Sequence, residues 1–281
     1  MFISMPFRLK TMFTNAIVRP PCARFAEGLT TINLGAPNPT LALQQHAAYC
    51  EALEACGLRL TRLDADERYP DSTFVEDTAV IIRALSHGRA SAQAASAACA
   101  ILTRPGAFSR AGEVESIAAT LSRLCQEIHS IREPGTLDGG DVCEAEDHFF
   151  IGISERTNEA GANQLAKQLA SHGYPSSFVD IRRVKNVLHL KSGLAYLGDD
   201  RLAVIDALAD HNEIRRYDLV RVNATEQYAA NCVRINDYVL VADGFPEFEG
   251  ALQNRGYKTL SVEMTEFQKM DGGLSCLSLR F

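Results

Sequence analysis

The stretch "KMDGGLSCLSLRF" (269–281) places Cys276 after an aspartate and a double glycine and before a short apolar segment. A cysteine so placed is either a small hydrophobe in the last strand or a thiol at the mouth of a site. Four polar stretches supply what a nucleophilic thiol would need. "DSTFVED" carries Asp71, Glu76 and Asp77; "TLDGGD" carries Asp138 and Asp141; "LHLKSG" carries His189 and Lys191; "DGGLSC" carries Asp271 with Cys276. Cysteine with histidine is the pairing of covalent catalysis, in which a thiolate attacks an electrophilic carbon and an imidazole moves the protons. More carboxylates are present than acid–base chemistry uses, which points to a bound cation. A guanidinium suits, because its planar N–H donors fork onto carboxylates. Arg110 in "RPGAFSR" and Arg156 in "SERTN" would then hold a carboxylate at the other end of the same ligand. A cation at one end and a carboxylate at the other describes arginine or a relative of it.

Each of these residues also has an ordinary reading. Asp71 in "YPDS" and Asp138 in "LDGGD" are common turn residues. His189 between two leucines fits a core histidine, Arg110 and Arg156 fit surface charges ahead of helices, and Lys191 reads as structural. Their recurrence at equivalent positions of a repeat sets them apart.

That repeat is an order of elements. An amphipathic helical stretch comes first: 41–57, 111–125, 158–173, a weak one at 206–215, and 245–256. A short extended segment follows each ("LRLTRLD", "CQEIHSIRE", "SSFVDIRRV", "RYDLVRV", "YKTLSVE"). Then comes a polar element ("DSTFVED", "TLDGGD", "LHLKSG", "AANC", "DGGLSC"). Four of these lead into strand–turn–strand. The fifth has only "LSLRF", so its partner should be the N-terminal "NAIVRP", closing a ring through the two chain ends. The expectation is an α/β fold of five modules around a centre, with the polar elements converging at one end of the axis. The Ala/Ser-rich stretch 87–100 breaks the rhythm and reads as an insertion between the strands of the first module.

The chain of 281 residues is 46% hydrophobic and 22% charged, enough for a sizeable core. A formal net charge of −7 argues against a nucleic-acid partner and suits a cationic substrate. No apolar run reaches the roughly 18 residues of a membrane helix. Residues 1–11 read as an unstructured N-terminal extension, with a single catalytic domain over 12–281. The eight cysteines are scattered, without a CxxC pair or zinc-like spacing to histidine, which suits reduced thiols in the cytoplasm and no metal.

The stretches "DERYPDSTFVEDTAV", "ILTRPGAFSRAGEVE", "GTLDGGDV", "FFIGISERTNEAGANQLA", "VLHLKSGLAYL", "AANC" and "KMDGGLSCLSLRF" span about Met12 to Phe281. Together they resemble the dimethylarginine dimethylaminohydrolases, members of the pentein superfamily. The resemblance implies a pseudo-symmetric five-module α/β propeller. It also implies hydrolysis of Nω-methylated arginines to citrulline and methylamines without a cofactor. Carried over by motif, Cys276 would be the nucleophile and His189 the general acid and base. Asp138, a Glu in some relatives, would orient the histidine and the guanidinium. Glu76 and Asp77 would line the guanidinium site, and Asp71 would take the α-ammonium. Arg110 and Arg156 would hold the α-carboxylate, and the Met270 carbonyl would accept from the substrate. Segment 22–38 looks like a mobile lid whose Leu29 carbonyl meets the α-amino group. The substrate is thus a small molecule, and a homodimer is left open. Two rivals remain: an arginine deiminase, a longer type with an extra helical domain not found here, and a non-catalytic binding protein of the same fold.

Overall fold

The protein is described by a computed structural model that covers residues 13–83 and 98–281. The extension 1–11 and the insertion up to position 97 lie outside the described residues. Ala98–Ala100, assigned to the insertion from sequence, instead open a strand, because small apolar residues fit a buried strand as well as a linker: Ala100 is fully buried and pairs with Ile81.

Five three-stranded sheets follow one plan, each with an antiparallel first pair and a parallel second pair. In four of them a strand pair is followed by a helix and a third strand. The first such sheet holds β3 (Ala79–Arg83), β4 (Ala98–Leu102) and β5 (Glu127–Ser130), with α2 (Glu113–Leu121) between the last two. The next holds β6 (Val142–Ala145), β7 (His148–Ile153) and β8 (Ser176–Asp180), with α3 (Glu159–Ser171). Then come β9 (Leu194–Gly198), β10 (Arg201–Ile205) and β11 (Asp218–Val222), with the four-residue α4 (Asp206–Ala209). The fourth holds β12 (Val233–Ile235), β13 (Tyr238–Ala242) and β14 (Lys258–Val262), with α5 (Pro246–Gln253). In the remaining sheet β15 (Ser278–Arg280) runs antiparallel to β1 (Asn15–Val18), which lies parallel to β2 (Arg59–Arg62) across α1 (Pro39–Ala55). The two chain ends thus share a sheet, as the repeat requires. A short α6 (Thr265–Gln268) precedes the Cys276 turn.

Local chemistry sets the helix bounds. Asn38 caps α1 by accepting from the Thr40 and Leu41 amides at 3.0 and 3.2 Å, with Pro39 preset for the first turn. The inner face of α1 buries Ala42, Tyr49 and Leu53, and Gly57 ends it at φ +92°. The Tyr49 hydroxyl is buried and donates to the Leu274 carbonyl at 2.8 Å, tying α1 to the turn that carries Cys276. The first strands of all five sheets surround one cavity of about 210 Å³ on the axis, lined among others by Ala79, Val142, Leu194, Val233 and Ser278. Among the described residues no helix is long and apolar enough to cross a membrane.

Candidate active site

Four of the polar stretches fold as tight 3₁₀ turns immediately ahead of the first strand of their sheets, Val75–Thr78, Gly139–Asp141, Leu190–Ser192 and Ser275–Leu277, and the fifth, "AANC", begins in the end of the longer, kinked 3₁₀ segment Ala224–Ala230. Because those strands ring one axis, the turns meet at one end of it. A small pocket of about 30 Å³ lies there, lined by Leu29, Asp71, Asp77, Arg110, Arg156, His189, Met270 and Cys276, together with Phe74, Leu188, Asp271 and Gly272. Eight of the ten residues singled out from sequence therefore face one pocket.

The other two stand behind it. Asp138 is fully buried, and its Oδ2 lies 3.0 Å from His189 Nε2, while its Oδ1 accepts from the Gly106 amide at 2.8 Å. Glu76, expected beside Asp77 at the guanidinium site, turns instead toward the axial cavity. There it pairs with Lys191 Nζ at 2.6 Å and Arg280 at 2.9 Å, and accepts from the Ser275 hydroxyl at 2.7 Å. Neighbouring residues in the same turn leave it in different directions, so adjacency in "FVED" does not mean a shared pocket. Lys191 thus answers a buried carboxylate.

One carboxylate oxygen each of Asp77 and Asp138 and one ring nitrogen of His189 lie within 4.8 Å of one another. Burial disfavours the imidazolium, but the Asp77 charge, the bond to Asp138 and the Asp141 charge outweigh it and hold His189 up at about 9. Asp77 is held below the usual carboxylate range: burial opposes its charge, but His189, Arg110 and the Gly140 amide at 2.8 Å prevail. Asp141 is buried and accepts from Ser154, Thr157 and the Leu190 amide, which fixes the turn carrying His189. Close approach explains "GGD": a Cβ on Gly140 would stand 2.7 Å from His189 Nδ1 and 2.8 Å from Asp77 Oδ1.

Cys276 is 8% exposed, and the Gly273 amide lies 3.4 Å from its Sγ. Burial, with the charges of Glu76 and Asp77, pushes its thiol up to about 12. The double glycine before it is steric: a Cβ on Gly272 would strike the Phe74 ring and one on Gly273 the Asn231 amide. Asn231, from "AANC", accepts from the Ser275 amide at 2.8 Å and donates to the Lys191 carbonyl at 3.0 Å, locking the cysteine turn to the histidine turn.

At the other end of the pocket the two arginines differ. Arg110 is buried, pairs with Asp77 at 2.6 Å and Glu113 at 2.8 Å, and donates to the Phe74 carbonyl. Among the described residues the Arg156 guanidinium makes no ion pair or hydrogen bond, and it is only half-buried. The sequence reading missed Glu113, whose signal was its i,i+3 spacing from Arg110, and Arg280, which looked like an ordinary strand charge. Of the 22–38 segment, Leu29 lines the pocket. The Leu29 amide lies 3.0 and 3.2 Å from the Asp71 carboxylate oxygens, and the Thr31 hydroxyl donates to Asp271. Burial pushes Asp71 up, against the pull of Arg110, the Leu29 amide and Arg156.

The arginine deiminase family model matches residues 123–237. The N(G),N(G)-dimethylarginine dimethylaminohydrolase of Pseudomonas aeruginosa is 40% identical over 96% of this chain and 100% of its own. The enzyme of the same name from Streptomyces coelicolor is 34% identical over 94% of this chain and 96% of its own. A solved structure of the Pseudomonas aeruginosa protein, a cysteine-to-serine mutant complexed with citrulline, superposes with a TM-score of 0.87 at 39% identity, covering 96% of this chain and all of that one. The N-terminal domain of a cyanobacterial arginine dihydrolase, 17% identical over 95% of this chain and 97% of its own, shares the fold with a TM-score of 0.81. With a near full-length relative at 40% identity and the five-module propeller in common, the chain belongs to the dimethylarginine dimethylaminohydrolase family.

Proposed function

We propose that the protein hydrolyses Nω-methylated arginines to citrulline and methylamines through a thiouronium on Cys276. The observation that carries this reading is a buried thiol and a buried imidazole, the latter held by Asp138, facing one pocket walled by carboxylates. In the free protein the thiol holds its proton. A guanidinium bound beside the sulfur, against Asp77, offsets the nearby carboxylate charges and favours the thiolate, the thiol giving its proton to solvent as the substrate enters. The sulfur bonds to the guanidinium carbon, and the carbon–nitrogen bond to the methylamine breaks as His189 gives that nitrogen its proton. His189, now neutral and held by Asp138, takes a proton from water as the water oxygen attacks the same carbon. The carbon–sulfur bond then breaks as the hydroxyl proton passes to the departing sulfur, releasing citrulline and restoring the thiol.

At the far end Arg156, whose guanidinium has no partner among the described residues, takes the substrate carboxylate. Arg110 contributes charge from behind, since Asp77 and Glu113 already hold it. Asp71 takes the α-ammonium, and the carbonyls of Leu29 and Met270 accept from the substrate. The pocket of about 30 Å³ has room for about one water molecule. Arginine needs far more, so the 22–38 segment must lift for binding and close again to exclude water. Mass spectrometry of protein quenched during turnover tests the chemistry: an adduct on Cys276 supports it, and turnover without any adduct on that peptide counts against it. Comparing asymmetric dimethylarginine, monomethylarginine and arginine as substrates separates this reading from arginine deimination.

A further inference from the structure

A second group of metal-ligating side chains sits at the outer edge of the β3–β4–β5 sheet, and none of them lines the Cys276 pocket. Cys99 in β4 lies opposite Glu127 in the parallel pair with β5. Its sulfur, a Glu127 carboxylate oxygen and a ring nitrogen of His172, the residue that ends α3, all lie within 4.8 Å of one another. His129, two positions along β5 and so on the same face as Glu127, brings Nε2 to 3.5 Å from Glu127 Oε2; His172 Nε2 is 3.7 Å from that same oxygen.

Two details go beyond proximity. His172 Nδ1 lies 2.9 Å from the Gln168 carbonyl, so Nδ1 carries the proton and the Nε2 lone pair faces Glu127 and Cys99. A backbone carbonyl on the far nitrogen is the support that metal-ligating histidines have. Bonds of about 2.1 Å to a tetrahedral ion place neighbouring ligand atoms about 3.4 Å apart, so the 3.5 and 3.7 Å separations need little adjustment. Sequence spacing hides the set, because its members come from two strands and a helix end.

We propose that Cys99, Glu127 and His172 form a binding site for a divalent transition metal of the zinc type, with His129, beside Glu127, turning in as the fourth donor, and that the ion pins edge strand β5 to the end of α3. Thiolate and imidazole donors select zinc or cobalt over magnesium or calcium. Thiolate and carboxylate together neutralise the dication. Cys99 is buried, but the Glu127 side chain is 63% exposed, so the ion reaches the group from solvent. Binding displaces the Cys99 proton to water.

The test uses the full chain carrying Cys276→Ser, so that the active-site thiol gives no signal, titrated with Co²⁺ near neutral pH. One equivalent should bind with a thiolate-to-cobalt charge-transfer band and the strong visible bands of tetrahedral coordination, and Zn²⁺ should bleach both. Cys99→Ser should abolish the charge-transfer band. His172→Ala and Glu127→Gln, both at the surface, should each weaken Co²⁺ binding at least about tenfold. Absence of the band, a band that survives Cys99→Ser, or an affinity indifferent to both surface changes overturns the proposal and leaves the cluster a histidine–glutamate ion pair. If Cys99→Ser does not fold, the two surface variants decide by themselves.

Discussion

The thiol of Cys276 should be nearly silent toward neutral reagents and reactive toward cationic ones. Its titration is pushed up to about 12. Against the ordinary thiol value of 9.0 the rise is about three units and leaves roughly 10³-fold less thiolate at neutral pH. A guanidinium or amidinium about 4 Å from the sulfur contributes about 4 kcal/mol at an effective dielectric near 20, equal to about three pH units. The charge of the ligand is therefore enough to restore an ordinary thiol. A haloacetamide and a haloacetamidine with the same leaving group isolate that charge, and peptide mass spectrometry reads alkylation of Cys276. The neutral reagent should speed up about tenfold per pH unit through the alkaline range without levelling off. The amidine should react about 10³-fold faster at neutral pH. Equal rates for the two, or a neutral-reagent plateau with a midpoint near the free-cysteine value, would refute the argument that the substrate charges its own nucleophile.

Other outcomes follow from the same geometry. Asp138→Asn removes the charge on His189 Nε2, so the imidazolium, now held at about 9, should lose its proton at lower pH. Because His189 must be protonated to donate, the alkaline limb of kcat should shift toward neutrality, and kcat should fall about 10²-fold; an unmoved limb would detach Asp138 from the histidine. Gly140→Ala places a methyl group 2.7 Å from His189 Nδ1 and should cost about 10²-fold in kcat by displacing the ring, with the circular dichroism spectrum unchanged. Arg156→Ala should weaken substrate and citrulline alike by about 10–100-fold, the worth of a charged hydrogen bond; calorimetry showing unchanged citrulline affinity would remove Arg156 from the site. Amides across 22–38 should exchange hydrogen faster in the free protein than with citrulline bound, and identical exchange would deny that segment a gating role.

The modules were legible because helix and strand periodicities alternate in a fixed order, and all five third strands fall where the extended segments were read. The fourth helix was weak in sequence because it is short: four residues of α4 and a 3₁₀ turn at Ile214–Arg216 fill its place. α6 went unread because a single turn has no period. The polar turns could be recognised from composition, but the direction each side chain takes could not. Asp77 and Glu76 are chain neighbours that serve opposite sides of the same layer, and only the partners brought by distant strands, His189 and Arg110 for one and Lys191 and Arg280 for the other, decide which goes where. The two arginines were alike in sequence, and Glu113 separates them by occupying one.

The sheet joining β1 to β15 orders events during biosynthesis. Its antiparallel partners, such as Ala16 and Arg280, stand almost the whole chain apart. Bringing together the ends of so long a loop costs about 5 kcal/mol of chain entropy, which local contacts cannot offset in advance. Cys276 lies in the turn immediately before β15. A growing chain on the ribosome can therefore assemble the sheets that carry Asp77, Asp138 and His189 while still lacking the thiol, and the reactive sulfur arrives only as the ring shuts. Synthesis halted before the last strand would leave a scaffold with no nucleophile, so catalytic competence doubles as a report that translation has passed Cys276.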